Sequence, residues 1–492
     1  MKSALILYPH QLYATGELPT VDTVILVEDP LSFGVDQEHR QQLHKQKLIV
    51  MRASMRRYAE EVLWPAGLKV EYVELDVFMQ TKDLLERARK FDRTFMYDPS
   101  NEILTLRLLQ ARREMGEHAP AIEFLASPNF YLKEQEIRQY FAERHKHPFA
   151  EFYQWQRERF NILIDDYKPV GGAWMLEPKA AEPTKQLPSF AAFGDNKWVQ
   201  EATDYVQKHF SDNPGTTDCI WPTSHTEAVK WLHDFVEHRL DGFAPQNEVF
   251  SSQAPWLYHS ALASSLNSGL LGPQQVVDAA LKRHATRPVA LESLELFIRQ
   301  ILGQREFMRG VSLVGGHELR QSNPLKMTRR LTNDWYNGTT GIPVYDDLVK
   351  KVLARGYAHH TERLLIAGTL MTLCEITPTD IHKWFSELFV DSQDWALVPH
   401  VYSLSQFADN GTLEGGPYIC TSKTLMDKSD YQRGEWVNVW DGLYWRFIEK
   451  HRSVLSKNPR MRSVVQRLDR LDPDQRRIIH YRAEDFLNKF TQ

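Results

Sequence analysis

The chain has 492 residues, of which 42% are hydrophobic and 25% are charged, and its formal net charge at pH 7 is −5. This length exceeds what one small hydrophobic core supports, so we expect at least two domains, and the composition excludes an intrinsically disordered chain. The negative net charge excludes a uniformly basic nucleic-acid-binding protein, so any surface for nucleic acid must be local.

Short apolar segments in the first part of the chain predict β-strands. They lie at residues 4–8, 23–27, 70–75, 94–97 and 122–125. The spacing of apolar residues between and after them predicts helices at 37–61, 77–90, 102–115 and 133–144. We therefore expect an α/β domain with a doubly wound, mainly parallel sheet over residues 1–130. It lacks G-x-G-x-x-G and Walker motifs, which disfavours a dinucleotide or nucleoside triphosphate site.

Proline and glycine interrupt this pattern at residues 168–188, which predicts a long connecting segment. We place an interdomain linker with helices at residues 131–195. Beyond it, helical spacing replaces the strand pattern at 198–210, 225–238, 273–284, 290–309, 344–355, 359–374, 378–389 and 444–455. The sequence therefore predicts a large all-α domain over residues 196–492.

No segment approaches the roughly 20 apolar residues of a membrane span. The first apolar run, residues 3–9, is short and predicts a strand rather than a secretion signal. The three cysteines, Cys219, Cys374 and Cys420, are far apart and form no C-x-x-C motif, so we expect reduced thiols and no zinc site. These features together predict a cytoplasmic protein with no membrane partner.

Two adjacent histidines, His359 and His360, interrupt an otherwise apolar helical segment. Imidazole titrates near neutral pH, so a histidine in a pocket can act as a general acid or a hydrogen-bond donor. The alternative is that one histidine is exposed and the other is a hydrogen-bonded core residue. Upstream, residues 258–271 group hydroxyls and an Asn before Gly269, which suits either diphosphate binding or helix capping.

Several motifs occur in one order along the chain. They include Pro9-His-Gln-Leu12, Lys168-Pro-Val-Gly-Gly-Ala-Trp174, Gly269-Leu-Leu271, Arg305-Glu-Phe307, Tyr357-Ala-His-His360, Ser405-Gln-Phe-Ala-Asp409, Lys428-Ser-Asp-Tyr431 and Leu443-Tyr-Trp445. In these motifs the chain resembles the cryptochrome and photolyase superfamily, specifically the photolyase-related branch that contains the bacterial (6-4) photolyases with iron-sulfur clusters. The resemblance spans nearly the whole chain and implies an α/β antenna domain followed by an all-α FAD-binding domain.

The resemblance implies a light-dependent DNA repair flavoprotein, in which reduced FAD passes an electron to a flipped-out pyrimidine dimer. The residues that it implies for FAD binding are Tyr258, His259, Ser260, Leu266, Asn267, Gln300, Arg305, Arg309, Arg363, Asp391 and Leu397. Arg363 and Asp391 match a family salt bridge beside the isoalloxazine, although such a pair could also only tie two helices together.

Catalytic and electron-transfer roles follow from the same resemblance. His359 and His360 match the paired histidines of the (6-4) group, one of which donates a proton, and Tyr418 is a candidate pocket partner. Trp384 matches the flavin-proximal member of an aromatic relay, with Trp335 or Tyr336 as the outer member; core packing explains each of these rings equally well.

An antenna chromophore of the ribityl-lumazine type is a further implication of the resemblance. His10, Gln11, Lys45 and Lys47 could supply its polar contacts, or they could be ordinary surface residues.

The sequence departs from the family pattern at the cluster ligands and in the lesion pocket. The positions of the four cluster cysteines correspond to Asp347, Gln432, Glu435 and Asn438, so we predict no iron-sulfur cluster and no other metal. Gln304 stands where most relatives have Trp, which removes a large ring from the lesion pocket.

Three hypotheses therefore remain: a cluster-free (6-4) photolyase-like enzyme, a cryptochrome-like blue-light receptor that binds FAD without repairing DNA, and a flavin-less protein that only binds DNA. We favour the enzyme, acting as a monomer on damaged DNA.

Overall fold

The computed structural model describes residues 2–143, 148–178, 190–409 and 418–492, with Arg460 described by its backbone alone. The last residue of the helix predicted at 133–144, residues 179–188 of the predicted connecting segment, and the two residues before Tyr418 lie outside these ranges. Within them, no helix combines the length and the apolar content that crossing a membrane requires.

Five parallel strands form the sheet of the N-terminal part, in the order β3-β2-β1-β4-β5. They are β1 (Ser3–Leu7), β2 (Thr23–Val27), β3 (Lys69–Val73), β4 (Arg93–Tyr97) and β5 (Ile122–Leu125). The central strand β1 pairs with β2 through Leu5↔Val24 and with β4 through Leu5↔Phe95. All but the first residue of β1 and of β2 is buried, as expected for strands covered on both faces. The predicted doubly wound sheet is confirmed.

Helices cover the sheet and connect it to the second half of the chain. They are α1 (Lys45–Tyr58), α2 (Thr81–Ala88), α3 (Glu102–Met115), α4 (Glu134–Ala142) and α5 (Phe149–Phe160). A π-helical segment, Ala59–Leu63, extends α1, and a small hairpin, β6 (Ile164–Asp165) and β7 (Lys168–Pro169), follows α5. The sequence predicted helices in this linker but not the hairpin, whose strands have two residues each.

Helices make up the part of residues 196–492 that the structure describes, as predicted. They are α6 (Lys197–His209), α7 (His225–His238), α8 (Phe243–Gln246), α9 (Ala263–Ser268), α10 (Pro273–Thr286), α11 (Leu291–Ile298), α12 (Glu306–Gln321), α13 (Asp334–Asn337), α14 (Pro343–Arg355), α15 (His360–Glu362), α16 (Thr369–Leu373), α17 (Pro378–Leu388), α18 (Asp394–Val398), α19 (Ser422–Asp427), α20 (Glu435–Lys450), α21 (Arg452–Leu455), α22 (Pro459–Leu468) and α23 (Pro473–Phe490). Only isolated bridges, such as Arg329↔Ile376, accompany them.

Three further π-helical segments interrupt these helices: Arg299–Arg305, Arg363–Gly368 and Pro399–Ser405. Two of them, Arg299–Arg305 and Arg363–Gly368, insert a wide turn where the sequence predicts continuous helix, within residues 290–309 and 359–374. Because π-helical turns occur preferentially at functional sites, their positions point to the region where these three segments meet.

Two large hydrophobic clusters form the core. One lies within the helical region and includes Trp335, Trp384 and Trp440. The other joins sheet residues such as Leu5 to Trp231 and Leu266 of the helical region. The predicted boundary between the α/β and all-α parts is therefore crossed by a continuous core, and the exact domain limits stay a prediction.

The turn between α14 and α15 places the two adjacent histidines. Gly356 ends α14 with φ +64°, and a Cβ atom at this position would lie 2.4 Å from Cγ2 of Val390. Only glycine combines this left-handed backbone with so close an approach. The chain then runs extended through His359, and α15 begins at His360. The start of the predicted helix 359–374 agrees with this N-terminus within one residue, so the two histidines begin a helix and do not interrupt one.

A buried carboxylate ties α20 and α21 to the turn after α16, and it makes stability depend on pH. Glu375 is 2% exposed and accepts hydrogen bonds from Arg446 (2.9 Å), Lys450 (2.9 Å) and His451 (2.9 Å). Burial raises the pKa of Glu375, but these three partners more than offset burial and hold it well below its usual value. Because the pKa of this carboxylate is lower in the folded than in the unfolded protein, its charge stabilises the fold at any pH above the unfolded-state pKa. This stabilisation is lost as the pH falls toward the folded-state pKa.

We expect Glu375→Gln to lower the free energy of unfolding at pH 7 by about 2 kcal/mol, because it removes charge-assisted hydrogen bonds. The difference in unfolding free energy between wild type and variant should shrink below about pH 4.5, the pKa of this carboxylate in the unfolded chain. Below this pH the unfolded state binds a proton that the folded wild type does not, which lowers the stability of the wild type. Urea unfolding at pH 7 and pH 4 measures both effects. Glu484→Gln is the control, since this carboxylate binds the same Arg446 but is 44% exposed. Equal losses at the two pH values would contradict the prediction.

Candidate functional site

A cavity of about 290 Å³ lies where the three C-terminal π-helical segments approach α9, α15 and α18. We call it the histidine cavity, because His259, His359, His360 and His400 line it. Of the residues implied for FAD binding, those in its wall are His259, Ser260, Leu266, Asn267, Gln300, Arg305, Arg363, Asp391 and Leu397. Residues that lie far apart in the sequence therefore come together in one site.

A chain of polar contacts crosses one wall of the cavity. Arg305 donates to Oδ1 of Asn267 (2.6 Å), and Asn267 donates to the backbone carbonyl of Asp391 (2.7 Å). Asp391 accepts from Arg363 (2.8 Å), whose Nε also binds the carbonyl of Ala358 (2.6 Å). The two arginines are thus held in fixed orientations with their charges toward the cavity.

The histidines form two ring contacts. The rings of His259 and His359 stack with centroids 4.0 Å apart, and His360 meets His400 edge to face at 5.9 Å. Burial lowers the pKa of all four, and Arg363 lowers it further for His359, His360 and His400. Each is therefore neutral at neutral pH, with one ring nitrogen as donor and the other as acceptor. His400 donates from Nδ1 to the carbonyl of Ala396 (2.7 Å), which leaves Nε2 as its acceptor.

Comparisons with known proteins agree with this geometry. Residues 5–221 match the family described as deoxyribodipyrimidine photo-lyase-related protein, and residues 300–440 match the FAD binding domain of DNA photolyase. The (6-4) photolyase of Agrobacterium fabrum is 28% identical over 470 residues, 91% of each chain. The chain belongs to the cryptochrome/photolyase superfamily, in its photolyase-related branch.

Solved structures show the same fold. A bacterial class III photolyase from Agrobacterium tumefaciens aligns with a TM-score of 0.58 at 16% identity, covering 99% of this chain and 98% of that one. A Synechocystis cryptochrome aligns with a TM-score of 0.54 at 12% identity, covering 100% and 99%. The predicted membership and the fold class are both confirmed.

Residues 300–440, which match the FAD binding domain of DNA photolyase, contribute Gln300, Arg305, Arg363 and Asp391 to the histidine cavity, and the polar atoms of the cavity fit this cofactor. Buried atoms that lack a hydrogen-bond partner among the described residues include Nε2 of His259, Nη2 of Arg305, Nδ1 of His359 and Oδ1 of Asp391. Buried polar atoms are normally paired, so this set calls for a ligand with donors, acceptors and negative charge. A flavin ring edge and a diphosphate supply these groups.

Two residues implied for FAD binding lie outside the cavity. Arg309 is 2% exposed and donates to the carbonyl of Leu132 (2.7 Å) and to Asp98 (2.9 Å). It lies one turn beyond Arg305 and ties the sheet to the helical region, so the prediction that it lines the cavity was wrong. Tyr258 packs its ring on Gly242, where a Cβ atom would approach it to 2.4 Å.

The aromatic residues predicted for electron transfer lie beside the cavity in the photolyase-related chain. Phe385 lines the cavity, and the ring centroids of Trp384 and Phe385 are 5.0 Å apart. The ring centroid of Tyr345 lies 6.2 Å from that of Trp384 and 5.0 Å from that of Trp335. Trp335 is fully buried, which does not suit an outer relay member near solvent. The partly exposed alternative is Tyr336, whose hydroxyl donates to Glu387 (2.9 Å).

Of the four residues predicted for an antenna, two line a second cleft of about 680 Å³ between the sheet and the helical region, namely His10 and Lys47. Lys47 already donates to Oγ of Ser392 (2.6 Å), and burial lowers its pKa to about 8. Gln11 is fully buried and binds the carbonyl of Asp98 (3.1 Å), and Lys45 starts α1 outside the cleft lining. Fold contacts therefore occupy the side chain of Gln11, and the role of all four residues as chromophore contacts stays a prediction.

Tyr418 is 40% exposed and is not part of the cavity lining; its carbonyl accepts from Thr369 (3.2 Å). The predicted role as a pocket partner is therefore not supported by its position.

Sequence reasoning missed His400 and Asn247, which do line the cavity. Asn247 accepts from Gln300 (3.1 Å). Neither belongs to a motif, so only the fold identifies them.

The four residues that stand at the positions of the family's cluster cysteines make polar contacts with neighbouring residues. Asp347 accepts from the hydroxyl of Tyr431 (3.1 Å), Glu435 accepts from Asn438 (3.1 Å), and the carbonyl of Gln432 accepts from Trp436 (3.1 Å). Three or more His, Cys, Asp or Glu side chains arranged to hold a metal ion do not occur among the residues that the structure describes. The absence of an iron-sulfur cluster stays a prediction from the sequence.

Proposed function

We propose that this protein repairs DNA in a light-dependent reaction and acts on the (6-4) type of pyrimidine dimer. The observation that carries the proposal is the position of His359 and His360 in the wall of a cavity that is built partly from the segment matching the FAD binding domain of DNA photolyase. A relative named (6-4) photolyase, similar over 91% of both chains, supports the same lesion class.

Four side chains would hold the cofactor. Arg305 and Asn267 provide donors for the diphosphate, while Arg363 and Asp391 form an ion pair in the cavity wall (2.8 Å). When bound, reduced FAD supplies the electron that light transfers to the lesion and that returns after repair. The protein orients the cofactor, excludes water from its buried side and positions the protons.

The exposed part of the cavity suits a flipped-out base. His360 and Gln304 both line the cavity and are exposed, unlike the buried His359. A neutral imidazole at His360 can donate one hydrogen bond to a base that enters from solvent. Phe385 and Trp395 add apolar surface to the same cavity.

A light-versus-dark repair assay tests this function. Purified protein is incubated with oligonucleotides that carry either a (6-4) product or a cyclobutane dimer, and restored bases are quantified by chromatography. We expect restoration of the (6-4) product only in the light, together with a yellow protein that contains FAD. Absence of light-dependent repair of both lesions would refute the proposed function, and a colourless protein would favour the flavin-less hypothesis.

A cryptochrome-like photoreceptor is the second candidate, and Gln304 is the observation that favours it. Relatives that the sequence resembles have Trp at this position, and stacking of a base on an aromatic ring contributes about 1–3 kcal/mol. The exposed Gln304 supplies no such ring. Flavin photochemistry without repair would support this candidate.

We expect Gln304→Trp to tighten binding of lesion-containing DNA by about 5- to 150-fold, which corresponds to 1–3 kcal/mol of stacking. The position is exposed, so the larger ring does not have to enter the packed core. Fluorescence anisotropy with lesion and undamaged duplexes measures the effect. Gln304→Leu adds apolar surface without a π-face and is the matched control; equal gains in both variants would contradict a stacking role.

A further inference from the structure

A buried carboxylate lies directly behind the histidine pair. Glu362, in the first turn of α15, is 1% exposed and does not line the histidine cavity. One of its oxygens, Oε1, forms an ion pair with Lys351 of α14, whose amino group also donates to the carbonyl of Ser251 (3.0 Å). A carboxylate in this position is anchored on one side and is rigid.

The second oxygen of Glu362 faces His359. Its Oε2 atom lies 3.5 Å from Nε2 of His359, and neither atom has a hydrogen-bond partner among the described residues. The stacking of His359 on His259, with centroids 4.0 Å apart, fixes the plane of the ring. A carboxylate only accepts hydrogen bonds, so a hydrogen bond across this 3.5 Å gap requires the hydrogen on Nε2 of His359.

We propose that Glu362 is a positioning residue that holds His359 in its Nε2–H tautomer, so that Nδ1 is the proton acceptor in the cavity wall. This inference rests on the proposed function and gives the second histidine of the pair a separate role. His360 is the donor, and His359 is the acceptor. Nδ1 of His359 is itself buried without a partner, as expected of an atom that a ligand or substrate satisfies.

The charges around His359 show why a carboxylate is needed. Lys351, His360 and Arg363 disfavour the protonated ring in addition to burial, and His259 stacks on its face. Glu362 is the acidic group that faces the ring. When Nδ1 takes up a proton from a donor in the cavity, the carboxylate stabilises the imidazolium, as the buried acid does in a catalytic triad. Return of the same proton restores the neutral ring, so the cycle consumes none.

Nitrogen NMR of ¹⁵N-histidine-labelled protein reads the tautomer directly. Long-range ¹⁵N–¹H spectra distinguish the protonated from the unprotonated ring nitrogen, and His359→Asn assigns the signal by difference. We expect Nε2–H in the wild type and loss of this preference in Glu362→Gln, whose amide both donates and accepts. Single-turnover repair of the (6-4) product should fall about 10- to 100-fold in this variant, as for other groups that orient a histidine, with FAD content retained.

Lys351→Gln is the matched control, because it removes the ion pair and leaves the carboxylate beside His359. The Nε2–H signature is expected to persist in this variant. An Nδ1–H tautomer in the wild type, or an unchanged tautomer in Glu362→Gln, would overturn the inference. So would a loss of the signature in Lys351→Gln equal to that in Glu362→Gln, which would show that the ion pair and not the carboxylate sets the tautomer. If the wild-type protein repaired no lesion, the proposed function would fail, whereas the tautomer measurement would still decide the role of Glu362.

Discussion

Replacing His360 with alanine is expected to slow light-driven repair of the (6-4) product by about 10²- to 10⁴-fold, the usual contribution of a general acid. His360 lines the histidine cavity and is accessible from solvent, whereas its neighbour His359 is buried. Although the side chain of His360 is exposed, desolvation by the surrounding cavity walls lowers the pKa of its ring, and His400 and Arg363 lower it further. The ring is therefore neutral before substrate enters, and it acts as a general acid only after it takes up a proton, which the negative charge on the lesion that has received an electron favours. Single-turnover kinetics under continuous illumination measure the loss.

His360→Asn is the matched control for this prediction, because an amide donates a hydrogen bond but does not transfer a proton under these conditions. We expect it to retain lesion binding and FAD content while repair remains slow. A His360→Ala variant that repairs at the wild-type rate would contradict the acid role. Loss of FAD in either variant would instead assign His360 to the cofactor site, which absorbance at flavin wavelengths detects independently of repair.

The sheet could be predicted from the sequence almost to the residue. The limits of β2 and β5 agree with the structure, and so do those of α3, where Asn101 caps the N-terminus and Gly116 follows the last residue. These elements are set by local signals, namely buried apolar runs and capping residues. α1 begins eight residues later than predicted. Its cap, His44, also contacts the carbonyl of Leu353 far along the chain, and no local pattern reports such a contact.

The residues of the candidate site could be predicted where a sequence motif contains them. They could not be predicted where the direction of a side chain determines whether it lines the cavity. Arg305 and Arg309 lie one helical turn apart, yet the side chain of Arg309 reaches Asp98 instead of the cavity. Gln11 follows His10 directly, but it is directed into the sheet. His400 and Glu362 belong to no motif, because their roles depend on neighbours brought together by the fold.

The adjacent histidines illustrate the same limit. The sequence shows that two imidazoles are next to each other, but it cannot show that one is buried against His259 and the other is open to the cavity. The turn at Gly356 produces this difference, because it ends α14 and leaves His359 extended before α15 begins. A single backbone turn therefore gives two identical side chains different environments.

Replacing Asp391 with asparagine is expected to lower the free energy of unfolding by about 3 kcal/mol, because it leaves a largely buried arginine without its counter-charge. The side chains of Arg363 and Asp391 are 20% and 9% exposed and lie 2.8 Å apart. The same change should sharply reduce FAD content, since it removes the carboxylate charge that holds Arg363 in the wall of the histidine cavity. Flavin absorbance of the purified variant and urea unfolding measure the two losses.

A second ion pair of similar burial separates cofactor binding from stability. Asp36 and Arg107 are 11% and 25% exposed and lie 2.6 Å apart in the α/β part, outside the histidine cavity. Asp36→Asn should therefore cost comparable stability and leave FAD content unchanged. If both variants lost flavin equally, the Asp391 effect would be a general consequence of instability. If Asp391→Asn kept its flavin, the ion pair would serve only to join the turn before α18 to the π-helical segment after α15, and the cofactor would be held by Arg305 and Asn267 without it.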